Sequence, residues 1–210
     1  INLWIIHKIK TEKVVMKFKN IIKNKNFFLL LAILNFAGII LSFFTYLNHI
    51  INNINLGKFY LIPFFMVSFW LFLLSFFTVL YKYLDLEIPK FLGSLTFIYC
   101  FVYGIGSFLF YPLFMSFVRG LTIYHTWNIL AHGFVGLQSI LFLYIIKKPR
   151  GFYILILGLM FLLIDYVHLF SNGFLYYTEY SFPFFLKLLL GFIVGLLQIT
   201  AFYLLLKKKA

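Results

Sequence analysis

The chain has 210 residues, of which 64% are hydrophobic and 11% are charged, and its formal net charge is +13. A water-soluble domain of this size needs a largely polar surface, so the composition excludes that class and indicates a protein whose solvent is the lipid bilayer. Attraction of basic side chains to anionic lipid headgroups accounts for the positive charge, and we expect no nucleic-acid partner.

Long apolar segments occur along most of the chain, each of the roughly 20 residues that a helix needs to cross about 30 Å of hydrocarbon. They predict an all-α polytopic membrane protein built as a bundle of six transmembrane helices. Pro89, Pro112, Pro149 and Pro183 are expected at or outside the helix ends, because proline lacks a backbone N–H. The six segments are 27–47, 59–81, 91–111, 121–146, 151–170 and 182–206.

Basic residues set the expected orientation, because Lys and Arg near helix ends are retained on the cytoplasmic side. One set of ends carries 15 of the 18 Lys and Arg residues, and the opposite set carries Lys58, Arg119 and Lys187. Both termini are therefore predicted to be cytoplasmic, in a multi-pass protein of the cell membrane. The 15 are Lys8, Lys10, Lys13, Lys17, Lys19, Lys23, Lys25, Lys82, Lys90, Lys147, Lys148, Arg150, Lys207, Lys208 and Lys209.

Three regions follow from this topology. Residues 1–26 are a basic cytoplasmic N-terminal segment, 27–206 the six-helix transmembrane domain, and 207–210 a basic cytoplasmic tail. The segment before the first helix reads either as an amphipathic helix on the membrane or, for residues 1–15, as upstream translation, since Met16 precedes a basic run. Membrane lipids are the expected partners.

Apart from the polar residues within the predicted helices, few residues indicate a chemical function. Cys100 is the only cysteine and is expected to be a small buried side chain, which excludes a disulfide framework and a thiolate metal cluster. Gly191 and Gly195 form a G-x-x-x-G pattern whose face is a candidate for homo-oligomer contacts. No Gly-rich phosphate loop or hydrolase signature is present.

Asp165 is the only carboxylate within the six segments, and it precedes His168 by one helical turn. At 1.5 Å of rise per residue, Asp165 lies about 7 Å and His168 about 3 Å below the outer end of the fifth helix. On the fourth helix, His125 and Asn128 lie about 6 and 10 Å deep, and His132 about 16 Å. His125, Asn128 and His132 share one face of the fourth helix.

A carboxylate in hydrocarbon must face other helices and meet a donor or be protonated. We therefore predict a polar site in the outer half of the membrane between the fourth and fifth helices. Binding or transport of a small or lipidic ligand is the first interpretation. A metal-dependent intramembrane hydrolase is the second, with zinc held by Asp165, His168 and one of His132 and His125. A structural scaffold is the third, and enzyme activity is left open.

Three short motifs carry a resemblance to a known family. They are N-F-A-G at Asn35, the A-H-x-x-x-x-x-Q pattern from His132 to Gln138, and I-D-Y-V around Asp165. In order and spacing they resemble the domain-of-unknown-function 1405 family of prokaryotic integral membrane proteins. The resemblance implies a compact multi-pass protein in which Asn35, His132, Gln138 and Asp165 are the polar positions of interest, and it brings no established activity.

Two departures from that family bear on the site. The family's second helix opens with a Pro-Asp-Ser-Pro-like segment, whereas Pro63 begins the acid-free sequence P-F-F-M-V-S-F. His125 and His168 are particular to this sequence, so a metal site using them would not be common to the family. The resemblance favours His132 as the partner of Asp165, while the depth estimate favours His125.

Overall fold

The computed structural model describes residues 20–118, 123–170 and 184–208, and it describes the side chains within these ranges except those of 113–118, 123–125 and 169–170. The described part of the chain is helical and contains no strand. The expected all-α class is therefore confirmed.

After a short helical stretch at residues 20–23, eight α-helices follow one another along the described chain. A 3₁₀ turn, Phe59–Leu61, leads into the second, and a π-helical segment, Cys100–Ile105, joins the fourth to the fifth. The helices are α1 Lys25–Asn55, α2 Ile62–Phe65, α3 Val67–Tyr83, α4 Lys90–Tyr99, α5 Gly106–Val118, α6 Ile123–Ile145, α7 Gly151–Phe170 and α8 Phe184–Lys207.

Five of the continuous helical stretches are long and apolar enough to cross a membrane, and a bent pair makes a sixth if it counts as one span. The bent pair is Phe59–Phe65 with Val67–Tyr83, which meet at 63°. Leucine and phenylalanine side chains cover the outside of these helices; Leu137 is 69% and Phe184 is 74% exposed. Such a surface suits acyl chains rather than water.

Two helix boundaries differ from the sequence prediction. α1 continues to Asn55, eight residues beyond the predicted end at residue 47. Pro112 was predicted at a helix end, but it lies inside α5, which continues to Val118. Hydropathy set the predicted end at residue 47, and the missing N–H of proline was the reason to expect Pro112 at a helix end. A helix in a membrane tolerates proline where neighbouring groups satisfy the freed carbonyl.

The second predicted helix is broken at Met66, whose backbone leaves the helical region with φ −79° and ψ 44°. Met66 and Phe65 are buried against Tyr46 of α1 in a small apolar cluster of their own. Non-helical backbone is tolerated at membrane depth only where protein covers it. The break is therefore covered by protein, and α1 packs against it on one side.

The centre of the bundle is the π-helical segment between α4 and α5. Cys100, Val102, Tyr103 and Gly104 are buried there, which confirms the expectation for Cys100. α6 crosses this segment so closely that a methyl group added at Gly104 would lie 2.7 Å from the Cα atom of Gly136. Small residues at a crossing let two backbones approach where no hydrophobic force drives helices together.

Several charged groups meet at one end of the bundle. Lys25 forms an ion pair with Asp85, and Lys147 forms one with Glu87 at 2.8 Å. The hydrogen bonds from these lysines lower the pKa of the Asp85 and Glu87 carboxyls below their usual values. The Lys208 ammonium donates to the carbonyl of Leu143. The start of α1, the loop between α3 and α4, the loop between α6 and α7 and the end of α8 therefore lie at the same end of the bundle.

The Gly104–Gly136 crossing predicts that Gly104→Ala is destabilising. The added methyl group would meet backbone atoms that cannot rotate away, and overpacking of this kind costs about 1–3 kcal/mol. Thermal unfolding of the purified protein in detergent measures the change. Gly158→Ala is the matched control, because nothing lies within 4 Å of its added methyl group; equal melting temperatures for the two variants would contradict the crossing.

Candidate functional site: a lateral cleft above a serine–histidine pair

His132 of α6 is joined to α3 and α1 by a chain of hydrogen bonds. Its Nε2 atom lies 2.8 Å from the hydroxyl oxygen of Ser68, and that oxygen lies 3.2 Å from the Tyr46 hydroxyl. Ser68 is the second residue of α3, immediately after the break at Met66. The break therefore brings a hydroxyl from the start of a buried helix to the imidazole.

The rest of the His132 ring is enclosed by protein. The side chain is 3% exposed, the Tyr111 ring lies 5.8 Å away between centroids, and the backbone of Tyr103 lies beside the ring. Nδ1 is buried and has no partner within normal hydrogen-bond geometry among the described residues. A neutral imidazole carries its proton on only one nitrogen. With that proton on Nδ1, next to the Tyr103 backbone, Nε2 accepts from Ser68.

A cleft of about 540 Å³ lies beside this chain, between α1, α3 and α6. Its outer residues are apolar and exposed: Leu41 is 55%, Leu130 is 58% and Trp127 is 60% exposed. The cleft therefore opens sideways, toward the region that acyl chains occupy. Its polar lining is Ser42, Thr45, Tyr46, Ser68, Tyr111, Asn128 and His132.

Asn35 and Gln138 form a second buried polar contact, between α1 and α6. The Asn35 amide donates to the Gln138 oxygen at 2.9 Å, and the Gln138 amide donates back at 3.2 Å. Asn35 is fully buried and Gln138 is 5% exposed. The reciprocal bonds hold α1 against α6 next to the cleft. Two residues that the sequence singled out separately are thus brought together.

Asp165 has different partners from those that the sequence predicted. The Tyr103 hydroxyl donates to one carboxylate oxygen at 3.3 Å, and the Gln198 amide donates to the other at 2.6 Å. These donors lie on the π-helical segment and α8. Asn128 and His132 of α6 are not among them, because depth along a helix does not fix the direction in which the side chain points; the side chain of His125 lies outside the described residues. Asp165 ties three helices together and does not line the cleft.

His168 contacts the short helix before the break. Its Nε2 atom donates to the Phe64 carbonyl at 2.7 Å, and its ring packs edge-on against Tyr103 at 5.7 Å between centroids. Trp70 donates in the same way to the Pro63 carbonyl at 2.8 Å. Both carbonyls belong to the short helix before the break. The His168 ring therefore supports the break and is not a partner of Asp165 in a shared site.

The predicted residues thus divide into separate groups. His132 and Asn128 line the cleft, Asn35 and Gln138 pair beside it, and Asp165 is bonded away from it. The side chain of His125 lies outside the described residues. Among the described residues, no group of three or more His, Cys, Asp or Glu side chains could hold a metal ion, and His132, Asp165 and His168 do not gather into one.

Several contributing residues were not identified from the sequence. Ser68, Tyr46 and Tyr103 look like ordinary residues of apolar helices, and only contacts between distant parts of the chain reveal their roles. Pro63 within the first turns of the second predicted helix was the available signal for a break. Comparisons with protein-family models, curated proteins and solved structures found no match to this chain.

The Asn35–Gln138 contact predicts a non-additive effect of mutation. Asn35→Leu leaves the Gln138 amide buried without its partner, which costs about 1–3 kcal/mol, and Gln138→Leu strands Asn35 equally. The double variant replaces both amides by apolar groups and is expected to be less destabilised than the sum of the two single variants. Unfolding in detergent tests this double-mutant cycle, and simple additivity would show that the two amides do not interact.

Proposed function

We propose that this membrane protein binds a lipidic ligand in the cleft between α1, α3 and α6. The observation that carries the proposal is a cleft of about 540 Å³ whose apolar rim faces outward and whose buried end holds the His132–Ser68–Tyr46 chain. Ligand pockets are commonly 300–1,000 Å³ with a few convergent polar groups on an apolar lining. An amphiphile matches that arrangement, with its chain at the rim and its polar end against His132.

The lining favours a neutral polar end on the ligand. It contains hydroxyl, amide and imidazole groups but no Lys, Arg, Asp or Glu among the described residues. Phosphate groups are held in proteins by Arg, Lys and helix N-termini, and the first two are missing here. A hydroxyl or carbonyl group on an acyl or prenyl chain would exchange hydrogen bonds with Ser68, Tyr46 and Asn128 without requiring a counter-charge.

The other interpretations of the sequence receive different support. The contacts of Asp165 with Tyr103 and Gln198 favour a structural role for that carboxylate, as the scaffold interpretation expects. No observation favours zinc, so no cofactor forms part of the proposal. Binding rather than transport is proposed, because the cleft opens to the side of the bundle. Membership of the domain-of-unknown-function 1405 family stays a prediction from the short motifs.

The proposed setting is a six-span bundle in the cell membrane, with α2 and α3 as one broken span and both termini in the cytoplasm. The ion pairs that gather Lys25 and Lys147 at one end support this orientation, because basic residues are retained inside. Membrane lipids are the proposed partners. A homo-oligomer through Gly191 and Gly195 is a further proposal, supported by the open space beside Gly195.

Filling the cleft tests the binding proposal. Ala131 lines the cleft and is half-buried, so Ala131→Phe places a ring where the ligand chain would lie. The probe is a photoreactive monoacylglycerol, with a photoreactive phosphatidic acid of the same chain for comparison, added to protein in phosphatidylcholine nanodiscs. We expect the neutral probe to crosslink to α1 and α6, and Ala131→Phe to reduce crosslinking about tenfold or more.

Leu137→Phe is the matched control, since Leu137 lies on the same helix, is 69% exposed and does not line the cleft. It should crosslink as the wild type does. Equal crosslinking in the wild type and Ala131→Phe would contradict binding in the cleft. Stronger crosslinking of the phosphatidic acid probe would contradict a neutral ligand.

Labelling of single cysteines tests the proposed orientation. Cys100 is buried, so its replacement by Ala gives a background in which only an introduced cysteine reacts. Lys58→Cys is expected to react with a membrane-impermeant maleimide on intact cells, and Lys148→Cys only after lysis. The opposite pattern would invert the topology, and equal labelling of both sites before lysis would contradict a spanning bundle.

A further inference from the structure

We infer that Ser68 is a nucleophile activated by His132, and that the cleft holds a carboxylic ester of a lipidic acyl chain for hydrolysis. The inference rests on the proposed function, because the same cleft must first bind the acyl chain. It goes beyond binding by assigning a reaction to the 2.8 Å contact between the Ser68 hydroxyl and the His132 imidazole.

The bonding of Ser68 differs from that of three hydroxyl side chains that bond within their own helices. Thr45, Ser94 and Thr200 each donate to the carbonyl four residues earlier in their own helix, as hydroxyls in helices commonly do. For Ser68 that carbonyl is Phe64, and Phe64 accepts from His168 instead. The break at Met66 thus frees the Ser68 hydroxyl from its own helix and leaves it to His132.

The pair has the geometry that nucleophilic catalysis needs. A serine hydroxyl is a weak nucleophile until a base within about 2.6–3.2 Å takes its proton, and a third group orients that base. Nε2 of His132 is the base, and packing of its ring against Tyr111 holds the imidazole in place. Ser68 is half-buried and lines the cleft, so a bound ester can reach its hydroxyl oxygen.

The start of α3 adds a second element. Ser68 lies in the first turn of the 17-residue helix α3, where backbone N–H groups have no acceptor within their own helix. Such groups stabilise the negative oxygen that develops when a carbonyl is attacked. The break therefore places the Ser68 nucleophile in the same turn as these N–H groups.

The reaction balances with water as the only co-reactant. The Ser68 oxygen attacks the ester carbonyl carbon while Nε2 of His132 takes the hydroxyl proton. The bond between that carbon and the alcohol oxygen then breaks, and the alcohol leaves with the proton from Nε2. Water attacks the acyl-serine ester, gives a proton to Nε2, and releases the carboxylic acid as Ser68 recovers its proton. The Tyr46 hydroxyl, 3.2 Å from the serine oxygen, positions it.

A hexadecyl fluorophosphonate tests the nucleophile without knowledge of the natural ester, because it phosphonylates activated serines. The full chain in phosphatidylcholine nanodiscs is treated with the probe, and the modified residue is mapped by mass spectrometry. We expect one adduct, on Ser68, that is absent in Ser68→Ala. We expect the labelling rate to fall about 100-fold or more in His132→Gln, which removes the general base.

Ser94→Ala is the matched control, because it removes a serine hydroxyl that is bonded within its own helix and lies outside the cleft. It should label as the wild type does. A wild-type protein with no adduct on Ser68 overturns the inference even where variants fail to fold. An adduct that forms equally fast in a well-folded His132→Gln protein overturns the role of the histidine.

The outcome separates this inference from the proposed function. If the neutral lipid probe crosslinks in the cleft but Ser68 is not labelled, the binding proposal stands and the proposed hydrolysis is contradicted. If the wild-type protein does not crosslink the neutral lipid probe in the cleft, the binding proposal itself is contradicted. Labelling of Ser68 with release of fatty acid from monoacylglycerol, absent in Ser68→Ala, would support both.

Discussion

The hydrogen bond from His168 to the Phe64 carbonyl is the interaction on which the rest of the structure depends. A backbone carbonyl in hydrocarbon has no water to bond, and an unsatisfied one costs several kcal/mol. The break at Met66 exposes carbonyls of the preceding turn, and His168 and Trp70 donate to Phe64 and Pro63. Without such donors a continuous helix would satisfy the backbone better, and the 63° bend would have no support.

The consequences of the break extend to the cleft. Because α3 begins at Val67, Ser68 lies in its first turn and bonds His132 rather than its own helix. The close crossing at Gly104 and Gly136 holds α6 against the π-helical segment, and the Asn35–Gln138 amides hold it against α1. His132 is therefore fixed on three sides by protein while the fourth side faces the cleft. Ser68, Asn35 and Gln138 each bond a side chain on another helix, which lowers the cost of burying polar groups in a membrane.

Much of the architecture could be predicted from the sequence, because spanning length and apolar character are local properties. Each predicted segment overlaps an observed helix or the broken pair α2–α3, and Cys100 is buried as expected. The partners of Asp165 could not be predicted in the same way. Residue counting gives depth along one axis, whereas the choice between α6 and α8 depends on how each helix is rotated and tilted. Nothing in the sequence indicated that Gln198 of α8 was a neighbour of Asp165. Ser68 was missed for a similar reason, since its role arises from a break that hydropathy does not detect.

Hydrogen exchange across residues 59–70 tests the support of the break most directly. In His168→Phe the ring remains while the donor to Phe64 is lost, at a cost of about 1–3 kcal/mol for the buried carbonyl. The account predicts that amides on both sides of Met66 exchange about tenfold or more faster in this variant than in the wild type, both in nanodiscs. Unchanged protection in that segment, with the variant folded, would contradict the claim that His168 holds the break in place.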